Sequence, residues 1–367
     1  MLLSTKPKFD SSNLSKAHFC SAHFCSAQYG SSDALALAEI AKEQQGLLVI
    51  VVADTPEAHR LKQEIQFFSK QDFNILSLPD WETLPYDLFS PHQDIVSNRL
   101  LTLYQLPGTT KGILIVPINT LIQRLAPSQY LQLHSLVLSN GDKLDPIQMR
   151  QKLTSAGYRN VEQVMEHGEF AMRGSLLDVF PMGCPTPFRI DFLDDEIDSI
   201  RTFNPDDQRT AEKVSDIQLL PAREFPMDES GINCFRQNWR SDFDSSDKNS
   251  LYHQVSRGET PAGIEYYLPF FHTQLETLFD YLPKDSVFYL SSQLNEKADL
   301  FWEEINERYE QRRYDLSRPI LEPKSIFLTV PEIFAAFKQW PRVEVKEKHK
   351  VSLIEATACP EIEVNHR

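Results

Sequence analysis

From about residue 30 the chain alternates apolar runs with amphipathic stretches. Ala34–Lys42 predicts a helix, with Ser32 or Asp33 placed to cap it and Gly46 to end it. Leu47–Val52 is apolar without a break, the pattern of a strand buried on both faces. Pro56 opens a second helix, which puts Ala58, Leu61, Ile65 and Phe68 on one side. Ile75–Leu78 reads as a short strand, Asp94–Gln105 as a helix, and Gly112–Pro117 as another buried strand. Strand and helix in this order predict a parallel α/β sheet covered by helices on both faces.

Near Pro127 the period changes. Between about 133 and 222 one helix, Pro146–Ser155, stands among strands that alternate apolar and polar positions. Phe170–Arg173, Ser175–Phe180, Phe188–Leu193 and Ile197–Phe203 predict an antiparallel meander, broken at Gly174, at Pro181–Pro187 and at the acidic turn Asp194–Glu196. The segment therefore reads as a small antiparallel α+β domain inserted into the first. The α/β rhythm returns after Pro221. Val287–Leu290 predicts a strand, Leu294–Tyr309 an amphipathic helix, Ile326–Val330 a strand and Pro331–Trp340 a helix. From about 345 the chain is polar and reads as a linker within a larger protein. The expected divisions are 1–28, a polar extension; 29–125 and 223–325, two halves of one body; 126–222, the insertion; and 326–367, the start of a linker or next domain.

Composition adds limits. A net charge of -15 disfavours a broad phosphate-binding face, and residues 150–224 hold 9 Lys/Arg against 14 Asp/Glu. Five scattered cysteines form no disulfide framework. With no secretory block and no membrane span, the expected compartment is the cytoplasm. The repeated HFCSA at 18–22 and 23–27 matches no zinc spacing and reads as a short duplication near an edge strand or a frayed end. His92, Asp94, His167 and Glu169 have hydrolase chemistry but no accompanying nucleophile, and read as structural.

LPDWETLPYDLFSPHQDIVSNRLLTLYQL (78–106), ILIVPINTLIQRL (113–125), GYRNVEQVMEHGEFAMRGSLLDVFPM (157–182), FRIDFLDDEIDSIRTF (188–203) and YHQVSRGETPAGIEYYLP (252–269) are similar to the N-terminal, UvrB-like region of the bacterial transcription-repair coupling factors, the Mfd family. The resemblance covers roughly residues 30–340. It implies a degenerate, helicase-derived, RecA-like body in two halves and an inserted domain that docks UvrA in place of UvrB. RNA polymerase, DNA, ATP and Mg would be handled by domains outside this chain, and the family's C-terminal domains would mask the docking face.

Strand alternation turns Phe188, Ile190 and Phe192 one way and Arg189, Asp191 and Leu193 the other. The resemblance makes Arg173, Arg189 and Leu193 contacts to UvrA, with Asp191 beside them and Arg159 as a further basic contact. Leu193 departs from the family's Phe, keeping much apolar area but losing the ring. On sequence physics alone, Arg173, Arg189 and Asp191 read as cross-strand ion pairs on a solvated face. Charge reversal at Arg173 and Arg189 is expected to abolish UvrA binding with the fold intact.

A UvrB-type motor needs a Gly-rich loop ending in Lys and a hydroxyl residue. The corresponding slot is Tyr29-Gly30-Ser31-Ser32-Asp33, with Ser32 at the Lys position and Asp33 at the metal-ligand position. A carboxylate there competes with a phosphate for the helix N–H groups. Leu193–Glu196 superficially resembles a metal-binding acidic strand end, but falls on a hairpin turn. This chain is therefore expected to be non-catalytic and to bind no cofactor. The rival is an active UvrB-like ATPase that binds damaged DNA, and a third reading is a scaffold that contacts only the rest of its own chain. Trp81, Tyr86 and Phe89 lie in a short Pro-punctuated loop, which suits packing better than a DNA clamp.

Overall fold

The computed structural model describes residues 22–26, 30–70, 72–243 and 250–346, with 22–26 and 346 as backbone only. In chain order the first body half contains β1 (Ala22–Ser26), α1 (Ser32–Glu43), β2 (Leu47–Val52), α2 (Thr55–Ser69), β3 (Ile75–Ser77), α3 (Gln93–Gln105), β4 (Gly112–Pro117) and α4 (Ile118–Leu121). The next part contains α5 (Ser128–Leu133), β5 (Leu136–Ser139), α6 (Pro146–Ser155), β6 (Arg159–Asn160), β7 (Glu169–Arg173), β8 (Leu176–Phe180), β9 (Phe188–Leu193), β10 (Glu196–Phe203), β11 (Thr210–Val214) and β12 (Asp216–Leu219). After it come α7 (Glu229–Asp242), α8 (Leu251–Ser256), α9 (Leu278–Tyr281), β13 (Val287–Leu290), α10 (Leu294–Arg312), α11 (Pro323–Ile326), α12 (Val330–Phe337) and β14 (Arg342–Lys346).

The body is a parallel sheet in the order β1-β14-β13-β2-β4-β3. Its unbroken apolar strands serve two cores at once. Leu47, Val49 and Val51 of β2 enter the larger core, while Leu48, Ile50 and Val52 enter a second core beneath α1 and α2. Ile113 and Ile115 of β4 join the second core, and Leu114 and Val116 the first. Period-two alternation thus needs both faces covered, as helices on each side provide. Among the described residues no helix is long and apolar enough to cross a membrane.

Two expectations change at the C-terminal end. Residues 342–346 form β14, inserted between β1 and β13, so the segment expected to begin a linker supplies a sheet strand. Its partner β1 lies inside the expected polar extension and includes His23–Ser26 of the second HFCSA copy; Cys20 and most of the first copy lie outside the described residues. Ile326–Val330 is not a strand. The Thr329 amide and hydroxyl both donate to the Glu332 carboxylate, at 2.7 Å each, which caps α12 and claims the end of the apolar run. Only Phe327 makes a bridge, to Gln123.

The insertion carries a second sheet, β11-β10-β9-β8-β7-β6, antiparallel except for the β6–β7 pair. Phe170, Leu177, Val179, Phe188, Ile190, Phe192, Ile197 and Ile200 form its inner side, closed by Met149 and Leu153 of α6 and by Leu138, Ile217 and Leu219 of the β5–β12 pair. Its outer side is the surface of interest. The insertion is fastened to the body along α3. There Ser97 Oγ accepts from the Gly183 amide at 2.8 Å, while fully buried Arg99 ties the two body halves together, donating to Glu224 (2.9 Å) and to the Pro79 carbonyl (2.9 Å).

Candidate functional site

The outer face of the inserted sheet is set by register. Ala171 lies opposite Asp178, Asp178 opposite Arg189, and Leu176 opposite both Arg173 and Asp191. Alternate residues share a side, so Arg159, Arg173, Arg189, Asp191 and Leu193 all stand on this one face; for Arg189, Asp191 and Leu193 it is the side that alternation along β9 predicts. They do not form one cluster. Arg173 and Leu193 flank the β7–β8 and β9–β10 turns at one end, whereas Arg159 pairs with Glu169 at the other end, on the outermost strand β6.

Each hairpin turn has a physical reason. Gly174 sits at φ +61, a conformation that costs glycine little, between paired Arg173 and Leu176. Asp194 sits at φ +57 between paired Leu193 and Glu196, so the acidic run is the tight turn its sequence suggested. These turns hold Arg173 with its side chain 52% exposed and Leu193 at 68%.

The centre of the face is an ion triad that sequence reading missed. Asp178, 1% exposed, accepts from Arg189 Nε (2.7 Å) and Nη2 (2.9 Å) and from Arg173 Nη2. Arg189 Nη1 donates to the Gln208 carbonyl at 3.2 Å, and its guanidinium lies 4.9 Å from the centre of the Phe203 ring. The hydrogen bonds to Asp178 raise the Arg189 pKa further above its ordinary value. Gln208 in turn donates to the carbonyls of Val164 and Pro205. Val164, Ala171, Phe180 and Phe203 make a small core over this part of the face. Arg189 is consequently only 17% exposed. It is held inside the domain and does not project as a free contact. Alternation gives the side on which Asp178 lies; that it faces two arginine-bearing strands was the available signal.

The remaining site residues are tied locally. Asp191 accepts from Ser199 Oγ at 3.0 Å. Arg159 pairs with buried Glu169, whose other oxygen accepts from the Met165 and Glu166 amides at 2.8 and 2.9 Å. His167 bridges Asp94 (2.7 Å) and the Cys184 carbonyl (2.8 Å), joining the insertion to α3. These groups act as fasteners.

At the phosphate-loop position Gly30 takes φ +60 and Ser31 is the N-cap of α1, without a side-chain capping hydrogen bond; Tyr29 lies outside the described residues. Asp33 Oδ1 accepts from the Ala34 amide at 2.7 Å. Arg60, on α2, grips both Asp33 oxygens at 3.2 and 2.7 Å and also Glu64 at 2.8 Å. Its pKa is raised, chiefly by the Asp33 hydrogen bond. The helix start thus meets the chain's own carboxylate, neutralised by the chain's own guanidinium. Ser32 brings no positive charge there.

In the Pro-punctuated loop, Trp81 and Tyr86 are buried and pack on Tyr266, with ring centres at 5.6 and 5.7 Å, and Tyr86 Oη donates to the Leu321 carbonyl at 2.9 Å. Phe89 points outward, 70% exposed.

The UvrB interaction domain family matches residues 136–225, which include the whole outer face. The chain is 49% identical over 322 residues to the transcription-repair-coupling factor of Escherichia coli (strain K12), covering 87% of this chain and 28% of that protein. It is 47% identical over 340 residues to that of Haemophilus influenzae (91% and 30%) and 31% identical over 315 residues to that of Myxococcus xanthus (80% and 26%). The chain spans less than a third of the length of these curated relatives.

Proposed function

The chain belongs to the transcription-repair-coupling factor family through its N-terminal, UvrB-like region, and from that premise we propose that it is a docking module for UvrA with no ATPase of its own. In this reading residues 126–222 present the docking face, and residues 29–125 with 223–325 are the two halves of the body that carries it. The observation that carries the reading is the outer face itself. An exposed leucine and a half-exposed arginine flank two turns at one end of the inserted sheet, inside the span matched by the UvrB interaction domain family. An apolar anchor ringed by charge-assisted donors is the composition of a protein contact. RNA polymerase, DNA, ATP with Mg, and the self-masking contact belong in this reading to parts of the protein outside this chain.

Titration of UvrA with the chain tests the docking role. The chain binds, and Leu193→Ala weakens binding about tenfold, from the loss of roughly 1–2 kcal/mol of apolar burial. A chain that leaves UvrA unbound overturns the reading and favours the self-contacting scaffold.

The lack of an ATPase is supported by the Asp33–Arg60 pair at the start of α1. A phosphate would have to displace a carboxylate from the Ala34 N–H and break a two-pronged ion pair. The helix dipole offers only about 0.3–1 kcal/mol in return. Adding ATP and Mg accordingly leaves the melting temperature unchanged and yields no turnover. A shift of several degrees, or measurable hydrolysis, would restore the active-ATPase alternative.

A further inference from the structure

We propose that Asp178 is the positioning residue of the docking face, fixed by Arg189 and in turn holding Arg173 in the orientation that meets the partner; this rests on the docking reading above. Asp178 lies on β8, between the strand that carries Arg173 and the strand that carries Arg189. At 1% exposure it is buried, and the hydrogen bonds described for its carboxylate come from the two guanidinium groups.

The two arginines are not equivalent. Arg189 directs Nε and Nη2 to Asp178 and Nη1 to the Gln208 carbonyl, and rests against Phe203. Its edges and one face are occupied within the domain. Arg173 gives Asp178 one hydrogen bond from Nη2 and is 52% exposed, which leaves donors of its guanidinium open toward solvent. The triad has two positive charges and one negative, so the excess charge falls on the exposed member. The partner group it fits is a carboxylate, which takes a guanidinium fork in two parallel hydrogen bonds.

An arginine free to sample its rotamers loses that freedom on binding. One already tethered at Nη2 loses less, and that difference is what Asp178 contributes. Asp178 need not touch the partner at all. Its Oδ1 and Oδ2 are filled from within the domain.

The test is a double-mutant cycle in UvrA binding, read by calorimetry on the unaltered chain, Asp178→Asn, Arg173→Ala and the double variant. Asp178→Asn alone weakens binding roughly tenfold, the cost of immobilising one long side chain. Once Arg173 is alanine, Asp178→Asn adds less than about twofold, because a tether with nothing to hold has no effect. Losses that multiply independently, or an Asp178→Asn chain that binds like the unaltered one, overturn the assignment. Absence of binding by the unaltered chain overturns the docking reading instead. Should Asp178→Asn fail to fold, guanidinium NMR of the unaltered free chain decides: slowed rotation with distinct Nη signals at Arg173 supports the tether, and a single averaged signal overturns it.

Discussion

Replacing Arg189 by glutamate destabilises the inserted domain by about 3–5 kcal/mol, the range for leaving a buried charge without its partner. The Asp178 carboxylate is 1% exposed, and Arg189 supplies two of the three hydrogen bonds described for it. Glutamate removes those donors and sets a second carboxylate against the first. It also releases the Gln208 carbonyl and the cation on Phe203, the latter worth about 0.5–1 kcal/mol. The domain contains none of the tryptophans at 81, 239, 302 and 340, so far-UV circular dichroism is the suitable probe of its urea unfolding. The unfolding midpoint drops sharply, and an unfolding free energy within about 0.5 kcal/mol of that of the unaltered chain would show the triad to be unimportant. Charge reversal here is therefore expected to destabilise the inserted domain, where the sequence alone led to the expectation of an intact fold. Lost UvrA binding in such a variant would not identify a contact.

Replacing Arg173 by glutamate has the opposite signature. Its guanidinium is half exposed and gives Asp178 a single hydrogen bond, so stability changes by no more than about 1 kcal/mol, as for other exposed ion pairs. Arg189 still satisfies Asp178 from the other side. Binding suffers instead. An interfacial arginine that loses its carboxylate partner costs about 2–5 kcal/mol, hence a loss of thirtyfold or more, and the new charge repels the partner's carboxylate. Titration of UvrA alongside a melting curve separates the two effects. Full binding by Arg173→Glu would remove this residue from the interface.

Much of the architecture was legible in the periodicity. Leu47–Val52 and Gly112–Pro117 are strands with the predicted bounds, because an unbroken β-branched and leucine run can be satisfied only between two cores. The facing of Phe188–Leu193 was likewise fixed by alternation, and the burial of its residues follows it. Edge elements were harder. Arg342–Lys346 and Ala22–Ser26 are short, and sheet pairing is what makes them strands, β14 against both β13 and β1, and β1 against β14. Ile326–Val330 has strand composition, yet the Thr329–Glu332 capping box outweighs it. Helices α7 and α8 were not read at all, although Asp228 caps α7 through its bond to the Gly231 amide.

The candidate site was legible in part for a related reason. Alternation tells which side of a strand a residue occupies, and so it gathered Arg189, Asp191 and Leu193 onto one face; the register of β7 and β8 adds Arg173 to it. It cannot tell which cross-strand neighbour occupies a side chain. Arg189 and Arg173 look alike in sequence. They differ because Phe203 and the Gln208 loop close over one and leave the other open. Asp178 sits inside an apolar run, Leu176–Phe180, where a single acidic residue reads as a minor interruption.

The docking claim is tested most directly by the footprint of UvrA on this chain in amide hydrogen exchange. Added protection is expected at the two hairpins around residues 173–176 and 193–196 and on the neighbouring strands, with none at the start of α1 around residues 30–34. Protection confined to the body, or unchanged exchange at both hairpins while UvrA is demonstrably bound, would contradict it.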